Sequence, residues 1–206
     1  RVVGHSMPRI DLPAKLHGEA FIHDIAPPNV LHARMLRRPW RGARLVAFDE
    51  AAVRRAAKAP IDVIRAGDLV AFTADDETAV MRASAAAREH AQWAGGSKVA
   101  PDLDKPERLV TLPARDRVTE HGLPGRAEGN RVVEARYSRP FLTYGSIGPS
   151  CAVAHYANDR MTVWSHAQGM FPLRQAVSQL LKLPPERVRC IHVEGAGCYG
   201  HNGADD

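Results

Sequence analysis

The sequence predicts an α+β chain in two parts, and three observations carry that prediction. Residues 30–93 alternate short apolar stretches of strand length with two Ala- and Arg-rich stretches of helix length. Residues 95–130 are dense in Gly, Pro and charge, the texture of a linker. Residues 131–203 return to strands, insert one amphipathic helix, and finish on glycines at 195, 197, 200 and 203. A domain boundary is therefore expected near residue 129, dividing 1–128 from 129–206.

In chain order, residues 1–28 read as loop. The segment Gly4 to Pro13 holds Pro8 and Pro13, which forbid a helix through it, and Gly18 and Pro27-Pro28 break up the remainder of the stretch. Val30 to Leu36 reads as a strand, ended by the turn Arg37 to Gly42. Leu45 to Ala47 is a short strand, and Asp49 caps a helix running to about Lys58. Ile61 to Arg65 and Leu69 to Thr73 form a hairpin about Gly67-Asp68. Asp75 or Asp76 caps the longest helix, Glu77 to about Trp93. Its Val80, Ala83, Ala87 and Ala91 share one face, and their small size suits close packing on a sheet. After the linker, Arg131 to Tyr137 is a strand. Ser150 to Tyr156 and Met161 to Trp164 are hairpin partners about Ala157-Asn158-Asp159-Arg160. Ser165 to Phe171 is a loop, Pro172 suits a first helical turn, and the helix runs from Leu173 to Leu183 until Pro184-Pro185 ends it. The last strand, Val188 to Val193, leads into the glycine loop.

Bulk properties exclude several function classes. The chain has 206 residues, 45% hydrophobic and 25% charged, as soluble globular proteins do. No run approaches the ~18 apolar residues of a membrane span, so no transmembrane segment is expected. The net charge is +5, carried mostly by Arg, but the basic residues are interleaved with acids and aromatics are only 6%. That pattern offers no basic stripe or stacking platform, and no nucleic-acid partner is expected. Cys151, Cys190 and Cys198 are too few and too widely spaced for a disulfide framework. A cytoplasmic location fits this reducing pattern; a periplasmic one, or membrane association through partners, is the alternative. The start at Arg1, not Met, and the stop three residues after Gly203 suggest a piece of a longer chain.

Two loops hold the candidate chemistry. A strand–helix–strand unit normally pairs its strands in parallel, so the loops after Trp164 and after Val193 share the carboxyl edge of the sheet, where open α/β sheets bind ligands. Gln168 offers an amide donor there, and the following helix N-terminus favours an anion; Gln168 as mere turn decoration is the alternative. Gly195-Ala196-Gly197-Cys198-Tyr199-Gly200 satisfies G-x-G-x-x-G, but His201-Asn202-Gly203 is turn chemistry where a dinucleotide site needs a helix. Cys190, His192, Cys198 and His201 could hold zinc, although their spacing fits no common structural site and strand packing also explains the first two. No hydrolase motif is present.

Specific stretches resemble a known family. Gly4-His5-Ser6-Met7-Pro8-Arg9-Ile10-Asp11-Leu12-Pro13-Ala14-Lys15, Leu31-His32-Ala33-Arg34 and Gly42-Ala43-Arg44-Leu45 resemble the a/b-hammerhead segment of the molybdopterin-binding large subunit of the xanthine dehydrogenase/aldehyde oxidase family. Ser146 to Ala154, Trp164-Ser165-His166-Ala167-Gln168-Gly169 and Glu194 to Asp206 resemble the opening of its α/β cofactor domain, most like the nicotinate dehydrogenase or isoquinoline oxidoreductase branch of bacterial enzymes. The resemblance implies a hammerhead domain with its linker over 1–128 and the first part of the molybdopterin-binding domain over 129–206. It implies a molybdenum hydroxylase that oxidises a C–H bond of an N-heteroaromatic or aldehyde with water as oxygen source. The cofactor is then molybdenum-molybdopterin, in a dinucleotide form, with iron–sulfur clusters on a small partner subunit. Gln168 and Gly169 match the loop whose glutamine amide contacts an oxo ligand of molybdenum. Gly197, Cys198, Tyr199 and Gly200 match the glycine loop beside metal and pterin. The family's catalytic glutamate is expected beyond residue 206, in the remainder of the large subunit, so no catalytic residue and no metal ligand is assigned here, and the chain alone is expected to be inactive. The alternative is a non-catalytic structural or assembly module of a multi-subunit oxidoreductase.

Overall fold

The computed structural model of the chain describes residues 2–19, 21–119, 121, 131, 133–139, 145, 147–195 and 197. It mixes helices and sheets, and it divides into two compact units. One is Asn29–Leu142; the other joins Arg1–Pro28 to Thr143–Asp206.

In the first unit, β1 (His32–Leu36), β3 (Asp62–Ala66) and β4 (Leu69–Ala74) form an antiparallel sheet in the order β1-β4-β3. Residues alternate across a strand, so Val70, Phe72 and Ala74 of β4 all face inward and are buried. Against them pack α2 (Glu50–Ala57) and α3 (Glu77–His90), through Val53, Ala57, Ala79, Val80, Ala83 and Ala87. Small side chains let α3 approach closely, as its sequence predicts. Asp49 and Asp76 cap the two helices, each accepting a backbone N–H at 2.8 Å, from Ala52 and Thr78 respectively. Phe72, fully buried, meets the ring of Phe48 edge-on at 6.2 Å between centroids.

The structure departs from expectation in this unit at two places. The long helix stops at His90 instead of about Trp93, because Gln92–Ala94 is drawn out as a strand, β5, pairing antiparallel with β2 (Arg44–Ala47). Residues 131 and 133–139 form no strand and pair with none among the described residues, and Val133 and Tyr137 are exposed. The described part of the linker stretch contains a short helix, α4 (Pro106–Leu109).

The second unit is built on β6 (Ala152–Ala157), β7 (Arg160–Ser165) and β8 (Val188–His192), in that order. The β6–β7 hairpin turns on Asn158 and Asp159, both at positive φ, the type I′ geometry that matches strand twist. Helix α5 (Met170–Leu181) crosses from β7 to β8, which pair in parallel. Its end is tied to the next strand's approach. The Ser178 hydroxyl donates to Leu183 O at 2.6 Å, and the Arg174 guanidinium donates to Pro185 O at 2.6 and 2.9 Å.

The first 28 residues cluster with this unit, and they are not all loop. Pro13 opens a five-residue helix, α1 (Leu12–Leu16), in the first turn, where a missing N–H costs nothing. Beyond it Ile22 is completely buried, and its N–H donates to Glu194 O at 2.8 Å. His23 Nε2 donates to Pro149 O at 2.9 Å. One apolar anchor and these long-range hydrogen bonds outweigh proximity in sequence.

Candidate functional site

Parallel pairing decides where the two candidate loops begin. Ser165 and His192 are register partners at the carboxyl ends of β7 and β8, so the chain leaves both strands side by side. The ladder continues one step beyond, with Val193 N–H donating to Ser165 O at 3.0 Å. The Ser165 hydroxyl is turned onto its own loop, where it accepts Ala167 N–H at 3.2 Å. The expected shared edge is therefore present.

On the first loop, Gln168 is exposed and Gly169 is the N-cap residue of α5, its carbonyl accepting Leu173 N–H at 2.9 Å. On the second, Gly197 has φ +124°, a backbone that favours glycine. Cys198, Tyr199 and Gly200, the other residues expected to touch the cofactor, lie outside the described residues, as does any helix after Gly200. The zinc alternative is only half visible. Cys190 is half-buried and His192 exposed on β8, while Cys198 and His201 lie outside the described residues. Among the described residues, no group of three or more His, Cys, Asp and Glu could hold a metal ion. Burial pushes the Cys190 thiol up, with Arg174 opposing weakly.

The residue that sequence reasoning missed is His166. It is buried, and the backbone N–H of Cys151 donates to its Nε2 at 3.2 Å. A Cβ added to Gly195 would stand 2.6 Å from its Cγ and 2.8 Å from its Cβ and Nδ1. The ring thus fills the space that a side chain at 195 would need. Hydrophobic periodicity carries no sign of this, since the fit joins one loop to another. The only sequence trace is a histidine two residues before Gln168.

The base of the glycine loop is also held from the chain's beginning. Lys15 pairs with the Glu194 carboxylate and, at 3.4 Å, with Asp11, which pairs in turn with Arg9. The hydrogen bond to Glu194 raises the Lys15 ammonium above its ordinary value. The hydrogen bond from Arg9 holds the Asp11 carboxyl well below the usual carboxylate range. A surface depression of about 250 Å³ lies here, lined by Glu19, Phe21, His192, Val193 and Glu194.

No helix among the described residues is long and apolar enough to cross a membrane. The family described as a molybdopterin cofactor-binding domain matches residues 115–204. The whole chain is 34% identical to a subunit of nicotinate dehydrogenase from Pseudomonas putida, of which it spans only 18%. Its fold is similar to that of quinoline 2-oxidoreductase from Pseudomonas putida 86, with a TM-score of 0.64 and 18% identity, over 98% of this chain and 31% of that one. It is also similar to a Cu,Mo-CO dehydrogenase, with a TM-score of 0.56 and 16% identity, over 97% of this chain and 32% of that one. At such identities these two structures speak for the fold alone.

Proposed function

Because the chain belongs to the molybdopterin-binding large subunits of the xanthine dehydrogenase/aldehyde oxidase family, we propose that its two loops form one wall of a molybdenum–pterin site. The single observation that carries this reading is the parallel β7–β8 pair, which brings the Gln168 loop and the glycine loop to one edge. The residues suit such a group. An exposed amide can donate to an oxygen ligand, and Gly197, at a positive φ, suits a loop that turns backbone N–H groups toward an anion. Lys15 offsets the charge of Glu194 at the loop's base, which reduces repulsion of an anionic cofactor.

In this reading residues 1–128 are the hammerhead domain with its linker, the first 28 of them clustering with the cofactor domain that opens over 129–206. Gln168, Gly169, Gly197, Cys198, Tyr199 and Gly200 line the cofactor. The bound group supplies oxidation of a C–H bond with oxygen taken from water. This chain's residues orient and enclose it: Gln168 holds an oxygen ligand by its amide, and the glycine loop supplies backbone donors. The substrate class is an N-heteroaromatic compound, with an aldehyde as the alternative. The other walls, the base and the substrate contacts come from the rest of the large subunit. Electrons leave through iron–sulfur clusters on a small partner subunit, and the pterin is a dinucleotide. The assembly is cytoplasmic.

The test is the metal and pterin content of the full-length large subunit purified with its partner. About one molybdenum and one pterin per large subunit are expected, since a family site holds its cofactor stoichiometrically. A folded, complete complex free of both would overturn the reading and favour a structural module.

A further inference from the structure

We propose that His166 is a positioning residue: its imidazole is the surface on which Gly195, at the root of the glycine loop, is seated, and it sets that root against the root of the Gln168 loop. The proposal deepens the molybdenum–pterin reading and rests on it for its functional consequence, but the contact itself stands on geometry alone.

Three observations converge on the ring. First, the backbone at Gly195 lies outside the left-handed region that favours glycine, so conformation does not demand a glycine there. The demand comes from packing, because an added Cβ would meet His166 at 2.6–2.8 Å. Second, the ring is oriented by a donor that cannot change. A backbone N–H always donates, so Nε2, which accepts from Cys151 at 3.2 Å, keeps its lone pair and the imidazole is the neutral Nδ1–H tautomer. Third, His166 touches the entry to β6 through Cys151, follows β7 directly, and meets the loop leaving β8 at Gly195. One buried side chain therefore sits where all three strands of the sheet reach the candidate edge. Gln168 lies two residues after the ring, and Gly197 two residues after the glycine that the ring touches. A shift of the imidazole moves the roots of both loops together.

The experiment uses the assembled full-length enzyme with four variants: Gly195→Ala, His166→Ala, the double variant, and His166→Gln. Readouts are melting temperature, molybdenum per subunit, the Mo(V) electron paramagnetic resonance spectrum, and kcat and KM taken separately. A methyl forced into a packed ring should cost Gly195→Ala roughly tenfold in bound molybdenum or kcat. In the His166→Ala background the methyl has space, so the double variant should fall within about twofold of His166→Ala alone. Gln can present an oxygen near the place of Nε2, so His166→Gln should keep the wild-type spectrum while His166→Ala alters it. A merely structural histidine would lower the melting temperature and leave the spectrum of the bound metal unchanged; that result overturns the proposal. So does Gly195→Ala with the same penalty in both backgrounds. If Gly195→Ala fails to fold, recovery of a folded double variant supports the contact, and failure of both refutes it. A wild-type complex without molybdenum would sink the cofactor reading instead. The melting temperatures of the four variants would still report whether His166 and Gly195 are coupled.

Discussion

Replacing Gln168 by Ala separates a cofactor wall from a scaffold. The side chain is exposed, and it stands in a loop whose shape is set by other groups: the Ser165 hydroxyl on Ala167 N–H and the Gly169 carbonyl on Leu173 N–H. Truncating an exposed side chain away from such features changes stability by about 0.5 kcal/mol or less, so the melting temperature should stay within about 2 °C of wild type. Function should respond differently. One hydrogen bond from the amide to a charged or strongly polarised oxygen is worth about 1.5–3 kcal/mol, which corresponds to roughly a 10- to 100-fold loss in kcat/KM. Gln168→Glu keeps the shape but replaces the donor by an acceptor, and it should be no better than Ala. The assay is initial-rate kinetics of the assembled enzyme on an N-heteroaromatic substrate, with thermal unfolding measured on the same preparations. Wild-type kcat/KM in Gln168→Ala would refute the reasoning. Loss of activity in step with a fall of several degrees would show that Gln168 serves the fold instead.

Three further outcomes are expected from the described geometry. Lys182 closes α5 in the left-handed conformation at φ +54°, and Lys182→Gly should stabilise the β6–β8 unit by about 1 kcal/mol, read from urea unfolding. The Asp11 carboxyl is held low in the folded chain, so its contribution is present above the unfolded value near 3.8 and is lost as pH falls below it towards the lower folded value. Amide exchange of residues 9–16 should therefore be slow at pH 7 and accelerate relative to the intrinsic rate below about pH 4. Burial raises the Cys190 thiol, so at pH 8 it should react with iodoacetamide more slowly than an unfolded control. Equal rates would contradict its placement on β8.

What the sequence makes legible is local. Capping aspartates, the Asn158-Asp159 turn and the alternation of Leu69 to Thr73 are short-range patterns, and each appears where expected. The parallel β7–β8 pair is legible too, because a strand, a helix and a strand leave few other arrangements. Long-range choices are not legible. Trp93 leaves its helix because β2 offers a strand partner, and residues 131 and 133–137 alternate in sequence like a strand but pair with none among the described residues. Pro13 reads as a helix breaker, yet it sits in the one turn that tolerates it. In the site, Gln168 and the glycines stand out by type and spacing. His166 does not, since its importance lies in what occupies the space beside Gly195.

The burial of Ile22 and its hydrogen bond to Glu194 also set an order of events during synthesis. Its hydrogen-bond partner, the carbonyl of Glu194, is made about 170 residues later, on the order of 10–30 s at ordinary ribosomal rates. Residues 29–142 are complete before then and can form their own sheet and helices. Residues 1–28 are therefore made before residues 29–142 but seated after them, and for that interval Ile22 is an uncovered apolar side chain, available to a chaperone.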